Sequence, residues 1–220
     1  DPGGFAEFVR VPKINVDKGG IIPLPEEISF DVGTFVEPLG CAVRGLRRIG
    51  MQPGDSVLVL GSGLAGLLNI RLARALGTGC IVATDIQPFR LQAALNSGAH
   101  TAIDARAENV VEQALAANDG NGFEHVIVCT AASGVFPQAL SAVAPGGNVL
   151  LYAFSGPGVE TPLDLHDYFR KATTIRSTYG ASPLDLRQAV NMLRFGRMEV
   201  EDLITHRLSL AEAGLGFSLV

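Results

Sequence analysis

The chain has no tryptophan, only three cysteines and no long apolar run. The missing run excludes a transmembrane helix, which needs roughly twenty apolar residues in succession. There is no charged-then-apolar start, so no signal peptide is visible. Cys41, Cys80 and Cys129 lie far apart and form no C-x-x-C pair. That spacing fits reduced thiols in a cytoplasmic protein, each a small core residue, better than a disulfide framework. Basic residues are in the minority, 17 Lys and Arg against 22 Asp and Glu, for a net charge of −5. A nucleic-acid partner would need a basic face, so none is expected, and neither is a membrane.

What is abundant is apolar side chain, 47% of the residues, and glycine, 26 in 220. The first permits a large buried core, and the second suits tight turns and close backbone approach. The chain opens on Asp1 rather than Met and runs at once into strand-like residues 5–11. It is therefore expected to be a fragment of a longer protein.

From residue 56 onward the pattern is regular. Residues 56–60 are a β-branched apolar run after the turn signal Pro53-Gly54-Asp55, and residues 64–76 are helical, stopped by Gly77. Strands are expected at 81–84, 101–103, 125–128, 148–152 and 174–177. Helices are expected between them at 88–96, 107–116 and 135–144. A further helix over 183–195 leads out of this region. Alternating apolar strands and helices imply a parallel sheet, because parallel strands need crossovers. Strands apolar on both faces imply helices on both sides. The fold class is thus α/β, a doubly wound parallel sheet of about six strands of the Rossmann type. Residues 1–35 and 201–220 lack this alternation and look strand-like. They suggest an incomplete, β-rich catalytic domain split around the sheet. The expected division is 1–40, 41–182 for the sheet domain and 183–220 for the return.

Residues 61–66 read Gly-Ser-Gly-Leu-Ala-Gly. A lone G-x-G-x-x-G is weak evidence, but here a strand precedes it, a helix follows it, and Asp85 ends the next strand. Gly61 lets the chain turn, Gly63 lets a pyrophosphate approach the backbone, and Gly66 lets the helix pack on the sheet. The helix start at Leu64 and Ala65, with Ser62 in the loop, offers free N–H groups and a positive dipole end to the phosphates. Asp85 can accept from both ribose hydroxyls and would repel a 2′-phosphate, so NAD is favoured over NADP. Asp85 could instead serve as a helix N-cap. Arg90, in the following helix, could lie along the adenine ribose.

The runs Phe35-Val36-Glu37-Pro38-Leu39 and Pro53 to Gly61 resemble the zinc-type medium-chain dehydrogenases, closest to the sorbitol and threonine dehydrogenase branch. Gly3-Gly4-Phe5-Ala6-Glu7-Phe8, Cys129-Thr130-Ala131, Pro145-Gly146-Gly147 and Thr205-His206-Arg207 add to the resemblance, which covers nearly the whole chain. It implies an enzyme that oxidises an alcohol or polyol, or reduces the carbonyl, by hydride transfer to NAD, with a catalytic zinc as Lewis acid. The family's main zinc ligands lie upstream of the Gly-Gly-Phe-Ala-Glu match and are not in this chain, so the piece alone is expected to be inactive. The resemblance makes Glu37 a metal-site residue; its other reading is a carboxylate capping the helix after Pro38. Thr130 is implied to lie beside the adenosine. Ala153 and Phe154, after the fifth strand, are implied to hold the nicotinamide amide with their backbone. Arg207 matches a basic position reaching back to the cofactor, or is a surface arginine. Ala131 stands where a glycine is common. A homodimer or homotetramer is implied too. The other readings are a stand-alone NAD(H)-binding module and a zinc-free quinone or carbonyl reductase.

Overall fold

The computed structural model describes residues 3–153 and 155–219. Six parallel strands form one sheet: β1 Val57–Leu60, β2 Ile81–Asp85, β3 Thr101–Asp104, β4 Phe123–Val128, β5 Val143–Leu151 and β6 Thr174–Ser177. Their order is β3-β2-β1-β4-β5-β6, so the chain winds outward from β1, then returns and winds the other way. Helices α1 Lys13–Asp17, α2 Phe30–Gly33 and α3 Val36–Ile49 precede the sheet. Between the strands run α4 Leu64–Ala75, α5 Pro88–Ser97, α6 Val110–Ala117, α7 Val135–Ala142 and α8 Leu165–Lys171. Helices α9 Pro183–Arg194 and α10 Ala213–Ser218 follow, with 3-10 turns at Glu201–Leu203 and Leu210–Glu212.

The period-two alternation of strand side chains divides the core into two layers. Val57 and Val59 of β1 join Leu39, Leu46, Leu68, Ile81 and Val190 on the face covered by α3, α4 and α9. Leu58 and Leu60 join Val82, Val126 and Val149 on the face covered by α6 and α7. Each fully buried Leu or Ile here stabilises the fold by about 2 kcal/mol. β1 is buried at every position, as a strand covered on both faces must be.

The expected sheet is formed, with each strand within a few residues of its sequence-based limits. Strand β5 starts earlier than expected, at Val143, which pairs with Phe123 before the register shifts. Helix α7 therefore ends at Ala142. Helix α8, seven residues long and without a buried residue, gave no apolar period to read; Asp164 caps it, accepting from His166 N and Asp167 N.

The flanks differ from expectation. No strand forms at residues 5–11, and Phe8 is 89% exposed. Residues 201–219 form 3-10 turns and α10 instead of strands. A strand needs a neighbour to take its N–H and C=O groups, and among the described residues these segments have none. The expected boundary at residue 40 falls inside α3. The helix expected to lead out of the sheet domain, α9, packs on α3, with Ala189, Val190 and Leu193 in the shared core.

Asp185 holds α9 to α3. Its side chain is fully buried, and its Oδ1 accepts from Arg47 Nη2 at 2.6 Å. Its Oδ2 accepts from Ser182 N at 2.9 Å and Ser182 Oγ at 2.6 Å, completing a capping box. Burial pushes this carboxyl up, but the Ser182 and Arg47 hydrogen bonds outweigh it and leave it below the usual carboxylate range. A group with a lowered native pKa stabilises the fold above its unfolded pKa and loses that contribution as pH falls through the native value. Asp185→Ala is expected to cost about 2 kcal/mol near neutral pH, from the lost cap and a half-exposed ion pair. The check is a lower urea midpoint at unchanged slope, with the gap to wild type narrowing below roughly pH 4.

Candidate functional site

In a doubly wound sheet the loops after β1 and β4 diverge, and a crevice opens at the carboxyl ends of these strands. Here the loop after β1 is Gly61-Ser62-Gly63, and α4 starts at Leu64. The three glycines have three different reasons. Gly61 has φ +96°, and a Cβ there would lie 3.0 Å from Thr130 Cβ, so the loops after β1 and β4 touch at this point. A Cβ on Gly66 would lie 2.0 Å from the Gly61 carbonyl oxygen, which no side chain survives. At Gly63, φ is −68° and, its chain neighbours apart, no atom of the described residues lies within 4 Å of the missing Cβ. The protein itself thus sets no steric demand for glycine there, and the open space in front of it fits the approach of a ligand.

Helix α4 has no side-chain cap. The N–H groups of its first turn, on Leu64, Ala65 and Gly66, therefore have no intrahelical acceptor. With the positive end of the helix dipole they suit a phosphate.

Asp85 ends β2 beside this loop and is almost fully buried. Its Oδ2 accepts from Ser62 N at 2.9 Å and its Oδ1 from Gln87 N at 2.9 Å. A carboxylate offers about four acceptor positions, so each oxygen can still take a further donor. The N-cap of α5 is Gln87, so the capping alternative for Asp85 is not the arrangement found. Ser62 is fully buried; its Oγ donates to the Thr84 carbonyl at 3.1 Å. Both of its donors are used inside the protein, so Ser62 helps to place the loop. Arg90 stands near Asp85, with Nη1 4.0 Å from Oδ2 and its guanidinium 5.6 Å from the Phe89 ring centre.

Thr130 and Ala153 line a cleft of about 590 Å³ between the loops after β4 and β5, together with Ala131, Leu151, Ser155 and Glu160. Ala153 N donates to the Val128 carbonyl at 2.9 Å. Phe154 lies outside the described residues. Arg207 is not brought to the loop by any described contact; its Nε donates to Asp31 of α2 at 2.8 Å in an exposed ion pair.

Glu37 sits exposed in the first turn of α3 and caps nothing. Its Oε1 accepts from the thiol of Cys41, one turn on, at 3.2 Å. Sequence reasoning placed Cys41 in the core and missed this bond, although the i, i+4 spacing on a helix could have revealed it. Burial and the Glu37 carboxylate push the Cys41 thiol up to about 12, and burial does the same to Cys129. Neither is a thiolate near neutral pH. No group of three or more His, Cys, Asp or Glu among the described residues could hold a metal ion. Glu37 and Cys41 alone do not make a zinc site. Two of the four histidines are structural. His100 Nδ1 accepts from Ile81 N, and buried His125 pairs with Asp55 at 2.8 Å.

The sheet order, the glycine loop and the crevice define a Rossmann-type dinucleotide fold. The family model for the zinc-binding dehydrogenases matches residues 65–194, and the chain belongs to that family. It is 30% identical to an L-threonine 3-dehydrogenase of Bacillus licheniformis, over 99% of this chain and 61% of that one. The alcohol dehydrogenase TADH from Thermus sp. ATN1 superposes with a TM-score of 0.84 at 32% identity, over 90% of this chain and 57% of that one. A structure described as a zinc-binding dehydrogenase from Sinorhizobium meliloti 1021, bound to NADP, superposes with a TM-score of 0.90 at 28% identity, over 98% of this chain and 62% of that one. The chain therefore spans about three fifths of the length of these relatives. Among the described residues no helix is long and apolar enough to cross a membrane.

The glycines separate fold from site in one experiment. Gly66→Ala is expected to disrupt the loop and to lower the melting temperature sharply. Gly63→Ala is expected to leave it within about 2 °C of wild type while weakening dinucleotide binding about tenfold or more. Calorimetry and a fluorescence titration with NADH read the two effects.

Proposed function

We propose that this chain is the cofactor-binding part of an NAD-dependent dehydrogenase that oxidises an alcohol or polyol, or reduces the matching carbonyl. The observation that carries this reading is the open space before Gly63, flanked by the first-turn N–H groups of α4 and by Asp85. The relatives' names, threonine and alcohol dehydrogenases, support a small hydroxylated substrate.

In this reading Leu64, Ala65 and Gly66 bind the pyrophosphate through backbone N–H groups. Asp85 accepts from the ribose hydroxyls and fixes the adenosine. Thr130 packs beside it where the β1 and β4 loops touch. Ala153 has its N–H engaged by Val128, which leaves its carbonyl for the carboxamide of the nicotinamide. The nicotinamide supplies the hydride acceptor when bound. The proposed domain division keeps the sheet domain at 41–182, with flanks belonging to a catalytic domain. Zinc assistance belongs to the longer protein in this proposal, since Glu37 and Cys41 do not complete a site, and no step is drawn through the metal. Metal content and turnover of that longer protein separate a zinc enzyme from a zinc-free carbonyl or quinone reductase. A cytoplasmic location is part of the same reading.

A homodimer or homotetramer is also proposed. Among the described residues strand β6 pairs only with β5 and leaves an open edge, and Leu165, Phe169 and Tyr179 are exposed. Sedimentation at micromolar concentration should give at least a dimer. A clean monomer would remove this part of the proposal.

The cofactor reading is tested by titrating NADH into the chain. Saturable binding is expected. Asp85→Ser should weaken NADH about tenfold and narrow the gap between NADH and NADPH. An unchanged preference would show that Asp85 only organises the loop.

A further inference from the structure

We infer that this protein has a second ligand site, a cavity at the far end of α4 that takes a phosphate group, free or carried on a small metabolite. It stands apart from the dinucleotide reading above and does not depend on it.

The cavity measures about 430 Å³ and lies where three segments meet. Arg71 and Arg74 come from the carboxyl half of α4, Asn96 and Ser97 from the end of α5, and Arg197 and Glu199 from the chain after α9. Arg74 lies about 15 Å along the helix from Leu64, which starts α4 at the glycine loop. Small-molecule pockets begin at roughly 300 Å³, so there is room for an organic group beside the phosphate.

Three arginines line this space, and only one is spent. Arg71 holds Asp202, the other charged group on that wall, with both Nη atoms, so these two charges cancel locally. Arg74 and Arg197 are exposed, and their side chains make no hydrogen bond or ion pair among the described residues. Each guanidinium carries five donors and no acceptor. Arg74 also answers the negative end of α4, but it does not cap the helix. The last carbonyls are taken by the backbone: Ala73 O accepts from Thr78 N and Arg74 O from Gly77 N. The stem of Arg74 lies across Gly98, where a Cβ would collide with its Cδ. The glycine thus seats the side chain while its fork stays free for a two-pronged contact with a phosphate.

The neutral donors agree. Ser97 is almost fully buried, and its Oγ accepts from Arg71 Nε at 3.0 Å. Its own O–H donates to nothing among the described residues. Asn96 Oδ1 accepts from Gln92 Nε2 at 3.0 Å, which leaves Nδ2 unused. Donors from α4, α5 and the chain after α9 therefore line the same space, and a tetrahedral oxyanion offers acceptors on every side. Glu199 is the opposing charge on the wall without a partner among the described residues. It is exposed and can turn its carboxylate to solvent.

The test follows the melting temperature of the whole 220-residue chain at fixed ionic strength, with inorganic phosphate or glycerol 3-phosphate replacing chloride. Phosphate stabilises proteins generally by exclusion from their surface, a shift that every variant shares. At about 10 mM phosphate, wild type is expected to gain about 3 °C beyond the shift of the Arg74→Ala, Arg197→Ala double variant. Glu199→Gln, which removes the repelling charge, should bind phosphate about threefold more tightly. Gly63→Ala should keep the full shift, which separates this cavity from the amino end of α4. A larger shift with glycerol 3-phosphate than with phosphate assigns the cavity to an ester, and an equal shift assigns it to the free ion. Both arginines are exposed, so the variants are expected to stay folded, and melts without phosphate check this. A double variant with the wild-type shift would overturn the inference. So would weaker binding in Glu199→Gln, or loss of the shift in Gly63→Ala.

Discussion

Everything at the carboxyl end of this sheet depends on how closely α4 comes to the loop before it. The missing Cβ of Gly66 would sit 2.0 Å from the Gly61 carbonyl oxygen. That distance lets the first turn of α4 start directly under the loop. A helix held one side chain further away would still carry N–H groups and a dipole, but it would present them to a wider, wetter space, where both count for less. Gly61 contributes the complementary constraint. Its left-handed conformation turns the chain out of β1 with no Cβ to press on Thr130. The crevice is thus shaped by two absences of side chain, and Gly63 adds a third, with open space in front of it.

The second determinant is the link between the loop and β2. Asp85 is buried, and among the described residues its carboxylate accepts hydrogen bonds from two backbone amides, those of Ser62 and Gln87. A buried carboxylate left without donors would be costly, and these amides offset that cost. They also fix its orientation, so the carboxylate faces the crevice in one pose. The same residue therefore orders the loop and, in the proposed reading, is placed to recognise the ribose. Ser62 reinforces this from the other side by donating to the Thr84 carbonyl.

Much of this was readable from sequence, for physical reasons that also mark the limits. Strands such as Val57–Leu60 are apolar throughout because both faces are covered, and that signal is local. The glycine spacing and Asp85 are local as well. What failed to show was non-local. Residues 5–11 have strand-like composition, but a strand exists only with a partner, and composition does not reveal one. Arg207 was matched to a cofactor position or read as a surface arginine, and its exposed ion pair with Asp31, far away in sequence, could not be seen in either reading. Ser62 looks like a phosphate contact in the motif, and only the fold shows that both of its donors are spent. The Glu37–Cys41 bond was within reach of the sequence, since the residues are one helical turn apart.

The far end of α4 explains why its near end can be trusted to stay in place. Twelve residues make a helix about 18 Å long, so a small tilt at its carboxyl end would displace the amides that face the crevice. Arg71, near that end, is mostly buried and donates to three separate elements. Its Nε reaches Ser97 Oγ of α5 at 3.0 Å, and its Nη1 reaches the Glu199 carbonyl at 2.6 Å. Both Nη atoms reach the Asp202 carboxylate, and these bonds hold that carboxyl below its usual range. The planar fork fixes orientation as well as distance. The chain after α9 is thereby tied to the helix that serves the crevice, although no residue of that tie lies in the site. A motif scan would pass over Arg71 as a surface arginine, whereas the position of the glycine loop's helix depends on it.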